Sequence, residues 1–186
     1  MIRRLVLAHI FAVAFCFLCG GQFAVAQTLD PQNTLYLDLK DGRVIIKLRP
    51  DLAPKHVAQI KALVKEGFYN GIVFHRVLDG FMAQAGDPTG TGIHGSHRPD
   101  IQAEFSPQPF NRGTIGMARA NDPNSANSQF FICFQPAPTL NGKYTVFGEV
   151  VSGMEFVDQI KRGDPPSGMV KGPDKIIKMQ LMEDAK

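Results

Sequence analysis

Two stretches of this chain carry side chains whose types and spacing could do chemistry. The first is Phe74-His75-Arg76-Val77-Leu78-Asp79-Gly80-Phe81-Met82-Ala83-Gln84-Ala85-Gly86. The second is Ser125-Ala126-Asn127-Ser128-Gln129-Phe130-Phe131-Ile132. Together they supply one arginine, two glutamines and a group of Phe and Met side chains. No nucleophile with an activating base stands out: Ser125 and Ser128 lie near Asn127, but no His/Asp pair is placed to activate them. A fixed cation, amide groups and an apolar bowl suit a reaction in which no covalent bond is made or broken. Rotation about an X-Pro peptide bond is such a reaction.

Other chemistries find less support. His94-Gly95-Ser96-His97 offers two histidines in a glycine-rich loop, but no nearby Cys and no clear third ligand, so no metal is expected there. Tyr36, Tyr69 and Tyr144 are not spaced as a base-stacking platform. The formal charge of +3 comes without a basic run, so no nucleic-acid partner is expected. Arg76 itself has a plainer reading as a strand residue paired with Asp79 or Asp87. Phe81, Met82 and Phe131 are residue types found more often in cores than in pockets.

These residues need a scaffold. The chain has 186 residues, enough for one domain with a substantial core. Its start reads as a leader. Arg3 and Arg4 precede an apolar run from Leu5 to Leu18, and Ala24-Val25-Ala26 has the small-x-small form of a cleavage site. Residues 1–26 are therefore expected to be a signal peptide, residues 27–32 a short lead and residues 33–186 the working domain. The apolar run falls short of the ~20 residues a membrane span needs. No stable span is expected after cleavage, and a periplasmic location follows if the signal is bacterial. Cys133 is then the one remaining cysteine, which makes an internal disulfide impossible.

Along the domain, Asn33 to Arg49 reads as a hairpin turning at Asp41-Gly42. Ala53 to Glu66 reads as a helix with Asp51 as its cap and Gly67 as its stop. Strand-like runs follow at residues 72–77, 81–85, 114–118, 129–134 and 145–150. Residues 86–99 read as a long loop. A second helix is expected over Val151 to Ile160, and a last strand over residues 175–182. The class is mainly β. Closing the strands into an antiparallel barrel would remove its edges, with the two helices capping its ends. Period-two alternation can send Phe130 and Phe131 to opposite faces.

At these residues the chain resembles the cyclophilins, a family of peptidyl-prolyl cis-trans isomerases. The resemblance rests on Phe74-His75-Arg76, Gly80-Phe81-Met82-Ala83-Gln84, Gly86-Asp87, Gly116-Met117-Ala118, Ser128-Gln129-Phe130-Phe131-Ile132 and Val146-Phe147-Gly148, in the family's order. It implies a closed eight-stranded antiparallel barrel with two helices capping its ends. It implies that Arg76 is catalytic and that Phe81, Met82, Phe131 and Leu140 form a proline pocket. Gln84 and Gln129 would hold the substrate backbone, with Ala118, Arg119 and Tyr144 alongside. The expected partners are unfolded or flexible proline-containing polypeptides, met by a monomer that needs no cofactor. Two positions depart from the common pattern: Thr139 stands where many members carry Trp, and Tyr144 where many carry His. A proline-segment-binding chaperone with weak or no turnover is the alternative.

Overall fold

The computed structural model describes residues 28–185; the expected signal peptide lies outside them. The elements run β1 (Thr34–Leu39), β2 (Gly42–Leu48), α1 (Pro54–Lys65), β3 (Arg76–Leu78), β4 (Met82–Ala85), β5 (Thr114–Met117), β6 (Phe130–Cys133), β7 (Val146–Ser152), α2 (Met154–Asp158) and β8 (Lys178–Leu181). The eight strands make one sheet in the order β3-β4-β6-β5-β7-β2-β1-β8, and every pairing is antiparallel. The hairpin and the two helices expected from sequence are present, and each strand run has a counterpart, although the run expected at residues 72–77 forms a strand only at Arg76–Leu78.

The alternation in β1 and β2 does what period two requires. Leu35, Leu37, Leu39, Val44, Ile46 and Leu48 point inward and are buried. The turn itself is Lys40-Asp41, with Gly42 already paired opposite Leu39. From α1, Val57, Ile60, Leu63 and Val64 join the same core, and Val157 joins it from α2. Tyr69, Phe130 and Phe147 meet edge to face at its centre, with ring centroids 5.6 and 6.4 Å apart.

Three local expectations are corrected. First, the strand ladder does not close: β3 and β8 end the sheet and are not paired with each other. The seam is filled by the segments just before them. Gly71 N donates to Ile176 O at 2.7 Å, Ile176 N to Ile72 O at 2.8 Å and Phe74 N to Asp174 O at 2.9 Å. The approach to β8 contains Pro165, Pro166 and Pro173 among several glycines, and proline cannot donate to a ladder. Second, Asp51 does not cap α1. It is paired with Arg49 at 2.7 Å. Glu104, distant in sequence, accepts instead from the backbone N–H of Lys55 and His56. Third, α2 is half the expected length. Val151 and Ser152 stay on β7, and Gly153 breaks the chain direction at φ +83. A Cβ there would lie 2.4 Å from the Arg43 carbonyl, so only glycine fits.

Candidate active site

Alternation along β4 and β6 splits their side chains between the two faces of the sheet. Ala83, Ala85, Phe130 and Ile132 belong to the inner core. Met82, Phe131 and Cys133 belong to a second apolar cluster on the outer face, with Phe110, Ala137 and Val146. Phe131 is stacked on Phe110 at 5.6 Å. Both rings lie over Gly116, the β5 residue opposite Phe131; a Cβ there would sit 2.5 Å from the Phe131 ring. The missing side chain lets the aromatic floor lie flat on the sheet. Phe110 was not among the sequence candidates. It stands in an irregular stretch without periodicity, so no local signal marked it.

Arg76 leaves β3 directly opposite Gln84 of β4. Its Nε donates to the Ser167 carbonyl at 3.0 Å and its Nη1 to Gln84 Oε1 at 3.2 Å. It has no carboxylate partner among the described residues. Asp79 is paired with Arg162 at 3.1 Å. Asp87 is fully buried and accepts from Thr89, Thr91, Gly92 and His94. Burial pushes the Asp87 carboxyl up, but those hydrogen bonds outweigh it and leave its pKa at about 2. The plainer reading of Arg76, an ion pair with either acid, does not hold. Three of its five N–H groups remain for other partners. Ser167 escaped the sequence reading because it contributes a backbone carbonyl, which leaves no residue-type signature.

The hydrogen bonds continue past Gln84 in one direction. Gln84 Nε2 donates to Gln129 Oε1 at 2.9 Å. Gln129 Nε2 donates to the carbonyls of Gly92 at 3.1 Å and His94 at 2.8 Å. Each amide oxygen thus faces the donor before it, and the guanidinium is held by a chain of oriented dipoles. With these bonds counted, Gln84 keeps one N–H and Gln129 none. The loop that receives Gln129 is the one that Asp87 folds around its carboxylate. Next to Arg76, His75 is buried, with neither ring nitrogen in a hydrogen bond. Burial lowers its pKa, the Arg76 charge lowers it further, and Asp87 opposes both.

Nine of the ten residues expected to form the site line one cavity of about 350 Å³: Arg76, Phe81, Met82, Gln84, Ala118, Arg119, Phe131, Leu140 and Tyr144. Gln129 lines an adjoining cavity of about 750 Å³, which shares Gln84, Ala118 and Arg119 with the first. The Tyr144 ring meets Phe131 edge on at 5.8 Å. The Arg119 guanidinium lies over the Tyr144 ring, 4.6 Å from its centroid. Thr139 is exposed and does not line the cavity. His94 Nδ1 rests against the Thr89 and Thr91 hydroxyls, and His97 turns toward Glu66. No group of three or more His, Cys, Asp or Glu that could hold a metal occurs among the described residues.

The sequence matches the model of the family described as cyclophilin type peptidyl-prolyl cis-trans isomerase over residues 34–181. A probable peptidyl-prolyl cis-trans isomerase of Brucella suis is 57% identical, with 94% of this chain and 95% of the relative covered. Peptidyl-prolyl cis-trans isomerase B of Bacillus subtilis is 44% identical over 71% of this chain and 93% of its own length. Among solved structures, a Cryptosporidium parvum cyclophilin crystallised in the presence of the dipeptide Ala-Pro superposes with a TM-score of 0.74. That pair is 30% identical and covers 80% of this chain and 98% of the other. The antiparallel sheet, the outer-face pocket and these matches agree: the chain belongs to the cyclophilin-type peptidyl-prolyl cis-trans isomerases.

Proposed function

We propose that this isomerase lowers the barrier to X-Pro rotation through Arg76, and that it does so for exported polypeptides. The observation that carries the first part is a guanidinium with free N–H groups sharing one cavity with Phe81, Met82, Phe131 and Leu140, tied to neutral groups and not to a carboxylate.

The planar peptide resists rotation because the nitrogen lone pair is delocalised; the barrier is ~18–20 kcal/mol. Uncatalysed exchange about X-Pro therefore takes ~10–100 s. In the twisted amide the prolyl nitrogen becomes pyramidal and regains its lone pair. An N–H of Arg76 aimed at that nitrogen binds the twisted form more strongly than the planar one, which is the condition for catalysis. One charge-assisted hydrogen bond contributes ~1.5–3 kcal/mol net, or about ten- to a hundredfold in rate. The remainder falls to the pocket. The twisted amide is less dipolar than the planar one, so the Phe81, Met82, Phe131 and Leu140 wall penalises it less. Gripping the ring while the flanking chain turns adds a positioning effect. The Gln84–Gln129 relay holds the guanidinium in place for that step.

The export role rests on residues 3–26, with their basic start, apolar run and Ala24-Val25-Ala26 site. It places the mature domain in the periplasm as a folding catalyst for flexible proline-containing segments. The mass of the exported form tests this: a chain beginning at Gln27 supports it, and an uncleaved chain contradicts it. Exchange spectroscopy on a short Ala-Pro peptide tests the catalysis. Cross-peaks between cis and trans signals that appear at catalytic protein concentrations support turnover. A peptide that is bound while its exchange stays at the uncatalysed rate points instead to a proline-binding chaperone.

A further inference from the structure

Seven arginines stand among the described residues, and five are paired with a carboxylate: Arg43 with Asp38, Arg49 with Asp51, Arg98 with Glu66, Arg112 with Asp158 and Arg162 with Asp79. The two that are not, Arg76 and Arg119, line the same cavity. No Asp or Glu lines that cavity. In a chain that neutralises its other described guanidinium groups, two uncompensated cations around one groove leave a local positive potential with an apolar floor.

The two are not equivalent. Arg76 has N–H groups to spare. Arg119 gives its Nε and Nη2 to the Lys143 carbonyl and its Nη1 to the carbonyls of Ala120 and Asn121. That leaves one N–H and the whole formal charge, because peptide carbonyls are dipoles and not counter-ions. The nearest acid along its loop, Asp122, is exposed, turns its Oδ1 to the Asn124 N–H and does not line the cavity. Arg119 is thus fixed in place by its carbonyls and by the Tyr144 ring while its charge still faces the groove.

We propose that the groove selects X-Pro segments carrying a carboxylate side chain next to the proline, with Arg119 as the specificity-determining residue. This rests on the isomerase reading of the same site. The pair formed is a rim pair, in which the groove supplies a pre-placed cation and the substrate an Asp or Glu. Rim ion pairs are worth little each, so the expected preference is roughly two- to fivefold. It is also screened by salt.

The test is a peptide series on the wild-type protein, which removes any question of folding. Glu, Gln or Lys is placed directly before the proline in one arm and directly after it in the other. At an ionic strength of about 0.02 M, the acidic peptide should exceed its Gln counterpart in kcat/KM by roughly two- to fivefold in one arm, with Lys below Gln. The arm that responds tells which side of the proline the cation faces. At about 0.5 M salt the ratios should fall toward one. Arg119→Gln should abolish the Glu-to-Lys ratio whatever it does to the overall rate, and Arg119→Lys, which keeps the charge but not the carbonyl bonds, should retain most of it. Equal rates for Glu, Gln and Lys in both arms overturn the proposal and leave the isomerase reading intact. So does a preference that persists in Arg119→Gln. If no peptide is turned over, the isomerase reading fails separately. Dissociation constants of the same peptides from NMR titration then decide the charge preference by the same ratios.

Discussion

Phe130 and Phe131 are neighbours in one strand and belong to different regions of the molecule. Phe130 packs among Tyr69 and Phe147 in the inner core. Phe131 lies on the outer face, stacked on Phe110 and in contact with Tyr144, as the floor of the cavity that Arg76 borders. Both are nearly inaccessible, so burial alone does not tell them apart. What differs is what lies above them. The inner ring is covered by other side chains on all sides. The outer ring borders a cavity of about 350 Å³ beside a guanidinium. One side of the sheet is closed over by the core, and the other leaves part of its apolar surface bordering a cavity.

That contrast can be broken by experiment. The largest effect should come from Phe130→Ala, which removes a fully packed ring and should cost about 3–5 kcal/mol of stability. Turnover per folded molecule should be nearly unchanged. Phe131→Ala removes a ring almost as deeply buried and should cost a comparable amount, but it should also weaken peptide turnover severely. Denaturant melts and peptide exchange on the two variants read both quantities. Equal losses of turnover would erase the distinction between the faces.

Acid should destabilise the molecule in two steps. His56 and His75 are buried, and burial is the main cause that holds each below the ordinary histidine value; Glu104 opposes it at His56 and Asp87 at His75. Groups with depressed folded pKa bind fewer protons in the native state, so the stability they contribute is present above the unfolded pKa and lost as pH falls. That loss should begin below about pH 6.5. A second loss should come between about pH 4 and 2, from Asp87, whose carboxyl is held at about 2 against burial by the donors of Thr89, His94 and Gly92. It should amount to about 2 kcal/mol. Melting curves of wild type and Asp87→Asn across that range should converge as pH falls. Curves that stay parallel would contradict the assignment.

A smaller effect is expected on the inner side alone. Glu104→Gln removes the carboxylate that receives the Lys55 and His56 N–H groups and His56 Nδ1 at 2.7 Å. Gln keeps an acceptor oxygen, so the loss is that of the charge at the helix N-terminus and beside His56, and it should cost about 1 kcal/mol. Thermal melts should record it while peptide exchange stays at the wild-type rate.

Much of this was legible in the residues. Alternation in the first hairpin and the Phe130/Phe131 split follow from period two, and nine of the ten candidate residues do meet at one cavity. The failures share a cause. The cap of α1 comes from Glu104, the anchor of Arg76 from the Ser167 carbonyl and the pocket floor partly from Phe110. Each is a contact across a long sequence separation, made by an irregular segment, so neither periodicity nor local spacing could announce it. The open seam is similar. Strand propensity near residues 72 and 175 was real, but the proline- and glycine-rich approach to β8 limits those segments to an isolated bridge between Val73 and Lys175.

The central claim is that the Arg76 guanidinium acts on the twisted amide and not on folding or on peptide capture. The direct measurement is kcat, peptide dissociation constant and melting temperature for wild type and Arg76→Ala, taken together. The account predicts a kcat lower by about ten- to a hundredfold, with the dissociation constant and melting temperature close to wild type. A variant that turns over at the wild-type rate, or that loses activity only because it no longer binds the peptide, would contradict it.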